Sequence, residues 1–278
     1  MQVKYTEIKN FKYRINPEER QGAYGLYFIR PFSIVLTFLA IRLDISANQV
    51  TVGQILVGVV GSGMLSFVDP SLTLVGLILL QFGFVLDNVD GEVARFRGTV
   101  SLTGKYLDTV GHELVVPMLY FCVGLGNFAR LGTIESVVLG FLAGLFSLRL
   151  DVITMSHEAL QFKGTKSNTT FDYYERFEEG SVPSLYRQKN EKSLTRVLYG
   201  MFAYPAIMNI ITIILLADLF FLHEVLASMR FNLMYVFLAV HGTLIPLRRV
   251  YTIWRFVHSR ATEQTYLKLR EDAEGKRE

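Results

Sequence analysis

Residues 86–113 read LDNVDGEVARFRGTVSLTGKYLDTVGHE, and this stretch decides how the rest of the chain folds. It places four ionisable side chains, Asp87, Asp90, Asp108 and His112, in sequence that otherwise reads as lipid-embedded helix. Such groups are costly inside a bilayer, and by default they mark a functional site facing the bundle interior. Asp87 and Asp90 are three apart, and Asp108 and His112 four apart, so each pair projects from one helix face. Gly98 lies near a polar break between the two segments, which makes them antiparallel neighbours. Asp87 is eleven residues before this break and Asp108 ten after it. The two therefore meet at similar depth, with His112 about one turn deeper. Three carboxylates converging at one level suit a hard divalent cation, Mg²⁺ or Mn²⁺.

The composition agrees with a membrane setting. Hydrophobic residues make up 51% of 278, too many for an ordinary soluble domain of this length. The single cysteine, Cys122, lies in an apolar run and has no partner for an intramolecular disulfide. The first thirty residues are polar and charged, so no cleavable signal peptide is expected.

Working outward, residues 30–45 (RPFSIVLTFLAIRLDI) offer only a short apolar run, below the roughly 20 residues a span needs. An interfacial amphipathic helix is expected there, with Pro31 in its first turn. Ser46 or Asn48 would cap the next helix. Six spans follow on hydropathy, at about 49–68, 71–95, 101–126, 133–157, 195–222 and 230–256. The expected fold class is thus all-α, a polytopic membrane helix bundle with six transmembrane helices. Its expected domains are an N-terminal arm and interfacial helix (1–47), a membrane domain (48–257) and a charged tail (258–278). Residues 158–194 form the one long polar loop. Of 28 Lys and Arg residues, 25 fall on one side of this arrangement, which the positive-inside rule makes cytosolic. Both termini, the long loop and the mouth of the Asp87–His112 site are expected on that side.

The same residues resemble the signature of the CDP-alcohol phosphotransferases, D-x2-D-G-x2-A-R, eight residues, then G-x3-D-x3-D. Here it reads Asp87, Asp90, Gly91, Ala94, Arg95, Gly104 and Asp108, with His112 at the place of the last aspartate. Seven of eight fixed positions match over 26 residues. The segment SANQVT also resembles the Pro-Asn-x-x-Thr entry of many members, with Ala47 in place of proline. The resemblance implies transfer of a phosphate-linked alcohol from CDP to a hydroxyl acceptor with release of CMP, as in phospholipid biosynthesis. It further implies Asp87, Asp90 and Asp108 as ligands of two divalent cations and His112 at the position of the catalytic base. Asn48, Thr51, Gly91, Ala94, Arg95 and Gly104 would bind the nucleotide.

A neutral imidazole can act as ligand, as general base or as a hydrogen-bonding structural residue; it brings no negative charge, so as a ligand it would let a softer ion such as Mn²⁺ gain on Mg²⁺. Arg149 and Asp151 near the end of the fourth span are a buried pair or, for Arg149, an acceptor-binding residue. His241 and His157 lack ligand-spaced partners, and Trp254 with its neighbouring tyrosines fits an interfacial belt. The expected partners are a CDP-linked alcohol (CDP-diacylglycerol first), a hydroxyl acceptor, the bilayer and optionally a second copy in a homodimer; nothing calls for nucleic acid. Two rival functions remain open: a catalytically silent member serving as a membrane binding or assembly module, and a cation transporter using midplane carboxylates.

Overall fold

The computed structural model describes residues 5–12, 27, 29–148, 202, 204–218 and 232–258. These form helices α1 (Tyr5–Lys12), α2 (Arg30–Arg42), α3 (Ala47–Met64), α4 (Pro70–Arg97), α5 (Leu102–Leu131), α6 (Ile134–Ser147), α7 (Tyr204–Ala217) and α8 (Leu233–His258).

The helix ends follow local chemistry. Ser46 caps α3 through a reciprocal box with Gln49: the Ser46 Oγ accepts from the Gln49 N–H, and Gln49 Oε1 accepts from the Ser46 N–H. Asp69 accepts from the N–H groups of Ser71 and Leu72, and Pro70 occupies the first turn of α4. At the other end of α4 the chain turns at Gly98, whose φ of 64° is the left-handed conformation that glycine adopts freely. Ser101 then caps α5 by accepting from the Gly104 N–H. This Gly98 turn joins α4 to α5, but the two are not the packed neighbours that the polar break predicted: α3 packs against both, and α4 and α5 meet through the side chains of Asp87, Asp108 and His112.

α4 and α5, with 28 and 30 residues, extend about 42 and 45 Å. Together with α8 they are the three helices among the described residues long and apolar enough to cross a membrane. α6 and α7 are shorter apolar helices, and the remainder of the expected fourth and fifth spans lies outside the described residues. The 18-residue α3 covers the expected first span but stops four residues sooner, at Met64. The protein is an integral membrane protein built as a helical bundle.

Close backbone approach holds the bundle together. A Cβ at Gly140 of α6 would lie 2.6 Å from the Tyr120 carbonyl of α5, and one at Gly124 would lie 2.6 Å from the Ser136 carbonyl. Small residues at such contacts are how helices associate where lipid removes the hydrophobic drive. Leu80, Leu119, Tyr120, Met208, Ile211 and Leu238 form the fully buried centre.

α2 packs on α4 with its polarity inside out. Ser33 and Thr37 are wholly buried, whereas Phe32, Val35 and Leu39 face outward. Glu92 of α4, itself buried, explains the inversion: Ser33 Oγ donates to its Oε1 at 2.9 Å and Thr37 Oγ1 to its Oε2 at 2.6 Å. At 13 residues, about 20 Å, α2 is too short to span, as its sequence anticipated.

Candidate active site

The site forms where α3 begins, α4 ends and α5 begins. α3 and α4 run antiparallel, so the order of contacts along one is reversed along the other. Thr51 meets Asp90 and, one turn further along α3, Gln54 meets Asp87. Thr51 Oγ1 donates to Asp90 Oδ2 at 2.7 Å, and Gln54 Nε2 donates to Asp87 Oδ1 at 2.8 Å. Gly83 lies beside Gln54 and Gly58, where a Cβ would come within 3.8 Å of the α3 backbone. The helices can thus approach closely enough for a threonine to reach across.

α5 supplies the other half. His112 Nε2 lies 3.4 Å from Asp87 Oδ1 and 3.4 Å from Asp108 Oδ1. One donor atom from each of Asp87, Asp108 and His112 falls within 4.8 Å of the others, an arrangement that could hold a metal ion. Asp87 and His112 are about one-fifth exposed and Asp108 nearly half. The edge of the Tyr204 ring, from the start of α7, packs on the His112 imidazole with centroids 5.3 Å apart.

The expected metal set and the observed cluster differ in one member. Asp87 and Asp108 meet as the spacing required. The third donor in the cluster is His112, while the Asp90 carboxylate is engaged by the Thr51 hydroxyl and the Gly91 N–H.

The small and basic residues of the signature lie on α4 and α5 toward the Gly98 turn. The Arg95 guanidinium folds back over Gly91, where a Cβ would meet its Nη1 at 3.0 Å. Arg95 Nε is buried with no hydrogen-bond partner among the described residues. The Ala94 carbonyl accepts from the Thr99 N–H at 2.9 Å and so closes the α4 terminus. Gly104 faces Asn48, whose Oδ1 would stand 3.4 Å from a Cβ there. Arg149, with Asp151 and His157, lies outside the described residues. Within α8, Arg249 donates to the Leu148 carbonyl at the end of α6, and Arg248 sits over the Phe202 ring, 5.8 Å from its centroid. His241 packs structurally, with Nδ1 3.0 Å from the Phe237 carbonyl and its ring against Phe237. Trp254 is exposed near the end of α8.

Sequence reasoning missed Gln54, Glu92 and Tyr204. Gln54 carried a usable signal, an amide three residues after Thr51 on one face of an apolar helix. Glu92 pointed away from the aspartates, and its partners in α2 are more than fifty residues distant. Tyr204 comes from a helix whose approach nothing local announces.

The set of two carboxylates and an imidazole suits a divalent cation, oxygen-seeking with some tolerance for nitrogen. No curated protein matches the sequence. The family model described as CDP-alcohol phosphatidyltransferase matches residues 44–217, more than half of the chain and the whole of the α3–α5 site. The chain therefore belongs to the CDP-alcohol phosphatidyltransferase family, membrane transferases that pass a phosphate-linked alcohol from CDP to an acceptor.

Proposed function

We propose that the protein transfers a phosphatidyl group from CDP-diacylglycerol to a hydroxyl acceptor, releasing CMP, at a site that opens to the cytosol. The observation that carries this reading is the meeting of Asp87, Asp108 and His112 at one point between α4 and α5, within the matched signature. In the reaction the acceptor oxygen bonds to the phosphorus that carries the alcohol, the bond from that phosphorus to CMP breaks, and the hydroxyl proton passes to a base. Bound divalent cations would neutralise the diphosphate, steady the leaving CMP and orient the attack.

Asp87, Asp108 and His112 would hold one cation. Asp90, nearly one turn along α4 from Asp87, would share the second with the same two aspartates. His112 as ligand fits its Nε2, equidistant from both carboxylates. Its place in the signature, that of the family's base, favours a second reading in which it takes the acceptor's proton. Arg95, with a buried Nε that no described residue satisfies, supports a phosphate clamp beside Gly91 and Ala94. Asn48, Thr51 and Gly104 would border the cytidine. Arg149 would meet the acceptor.

The domain division stands with this reading: an arm and α2 to residue 47, the catalytic bundle from 48 to 257, and a cytosolic tail. Both termini and residues 158–194 face the cytosol, where 25 of 28 basic residues would then lie. A homodimer is compatible with the proposal and not required by it.

Mass spectrometry of lipids and polar metabolites from cells with the wild-type protein, without it, and with Asp87→Asn tests the assignment. A phospholipid that appears only with the wild type supports it. CMP release with a polar product would keep the transferase and replace the phosphatidyl donor. Retained metal and nucleotide binding with no CMP release across donor and acceptor panels would establish the silent-module alternative.

A further inference from the structure

Among the described residues, Gln54 leaves one buried polar atom unmet while the other reaches a carboxylate of the site. Its Nε2 donates to Asp87 Oδ1 at 2.8 Å, while its Oε1 is buried with no hydrogen-bond partner among the described residues. The residue is only 5% exposed. The amide cannot be turned over to cure this, because Oε1 would then face a carboxylate oxygen and Nε2 would be the orphan. One end of the side chain is thus held in an unfavourable setting so that the other can reach Asp87. Burying an acceptor unmet is costly, and here the cost accompanies a bond to a carboxylate of the cluster.

We propose that Gln54 is a positioning residue for the metal site, orienting the Asp87 carboxylate toward Asp108 and His112. This rests on the cation site proposed above. A donor on Oδ1 stops the carboxylate from rotating about its Cβ–Cγ bond, and it leaves the second Oδ1 lone pair and both of Oδ2 for a cation. Ligating carboxylates are commonly held by such outer hydrogen bonds, and removing one typically weakens metal binding by about 10- to 100-fold. Thr51 does the same for Asp90 from the preceding turn of α3. α3 therefore serves as a template, with two donors three residues apart matched to two aspartates three residues apart on the antiparallel α4. Ala47 accepts from the Thr51 hydroxyl as well, at 3.1 Å, so Thr51 divides its proton where Gln54 does not. That makes Gln54 the cleaner probe.

The test is a Mn²⁺ titration, read by electron paramagnetic resonance, of the full chain in lipid nanodiscs. Gln54→Met and Gln54→Leu remove both the donor and the orphaned acceptor at similar volume. Gln81→Met serves as control, since Gln81 donates instead to Asn209 and Thr212 of α7. Both Gln54 variants should bind Mn²⁺ about 10- to 100-fold more weakly than wild type, while their metal-free melting temperatures equal or exceed it. The Gln81→Met protein should melt lower and keep its Mn²⁺ affinity. Mn²⁺ affinity within twofold of wild type in the Gln54 variants would overturn the proposal, as would a metal-free protein that melts earlier or fails to fold. A wild type that binds no Mn²⁺ would instead remove the cation site itself, and this role with it.

Discussion

Restoring a carboxylate at position 112 perturbs the site in a way whose sign the geometry determines. In His112→Asp, an imidazole gives way to a third carboxylate beside Asp87 and Asp108. The three donor atoms lie within 4.8 Å of one another in the native chain. At that distance, and at an effective dielectric of about 20, two unit charges repel by about 3.5 kcal/mol. The new carboxylate has two such neighbours, so the metal-free site would carry several kcal/mol of added repulsion, less whatever solvent and protonation remove. A divalent cation relieves that repulsion and gains a charged ligand. Mg²⁺ should therefore bind at least about tenfold more tightly, equivalent to about 1.4 kcal/mol, and the preference for Mn²⁺ over Mg²⁺ should narrow. The metal-free protein should melt earlier than wild type. The assay is displacement of Mn²⁺ by Mg²⁺, followed by electron paramagnetic resonance, beside melting curves with and without chelator. Unchanged or weaker Mg²⁺ binding in His112→Asp would refute the placement of His112 among the ligands.

Further outcomes follow from particular contacts. His112→Ala should lower the rate of CMP release by about 10²- to 10⁴-fold if the imidazole is the base. If it is a ligand alone, added Mn²⁺ should restore much of the rate, so the rate measured against Mn²⁺ concentration separates the two roles. Gly140→Ala puts a methyl 2.6 Å from the Tyr120 carbonyl and should cost about 1–3 kcal/mol by forcing α5 and α6 apart, read as an earlier thermal transition in detergent. Thr37→Val removes the 2.6 Å hydrogen bond to buried Glu92 and should destabilise the docking of α2 by about 1–2 kcal/mol, read by protease accessibility of the arm. Cysteines introduced into residues 158–194 in a Cys122→Ala background should be labelled only after the cytosolic face is opened. Labelling from the outer face of sealed cells would overturn the orientation.

The parts of the fold legible in the sequence are those that local chemistry decides. Ser46, Asp69 and Ser101 cap helices within three residues of themselves, and Gly98 turns the chain where a left-handed residue is needed. From that turn, counting residues toward Asp87 and Asp108 was enough to predict that they meet. The third member of the cluster depended on which way side chains lean, not on depth. Asp90 turns toward Thr51 on α3, and His112 has the length to reach between the other two carboxylates. The inverted polarity of α2 was hidden because hydropathy registers how apolar a segment is and not which face it presents. Ser33 and Thr37 become meaningful only once Glu92 is known to lie opposite. Gln54 and Tyr204 act through packing between helices, which no periodicity within one helix encodes.

The proposed function makes transfer depend on a cation held by Asp87 and Asp108, which meet across the Gly98 turn. The most direct measurement is CMP release from CDP-diacylglycerol by purified protein in proteoliposomes, with Mn²⁺ or with chelator, for the wild type and for Asp87→Asn and Asp108→Asn. Release by the wild type should stop in chelator and return with Mn²⁺, and neither variant should release CMP although both remain folded in the bilayer. Metal-independent release by the wild type, or full activity in either variant, would contradict it.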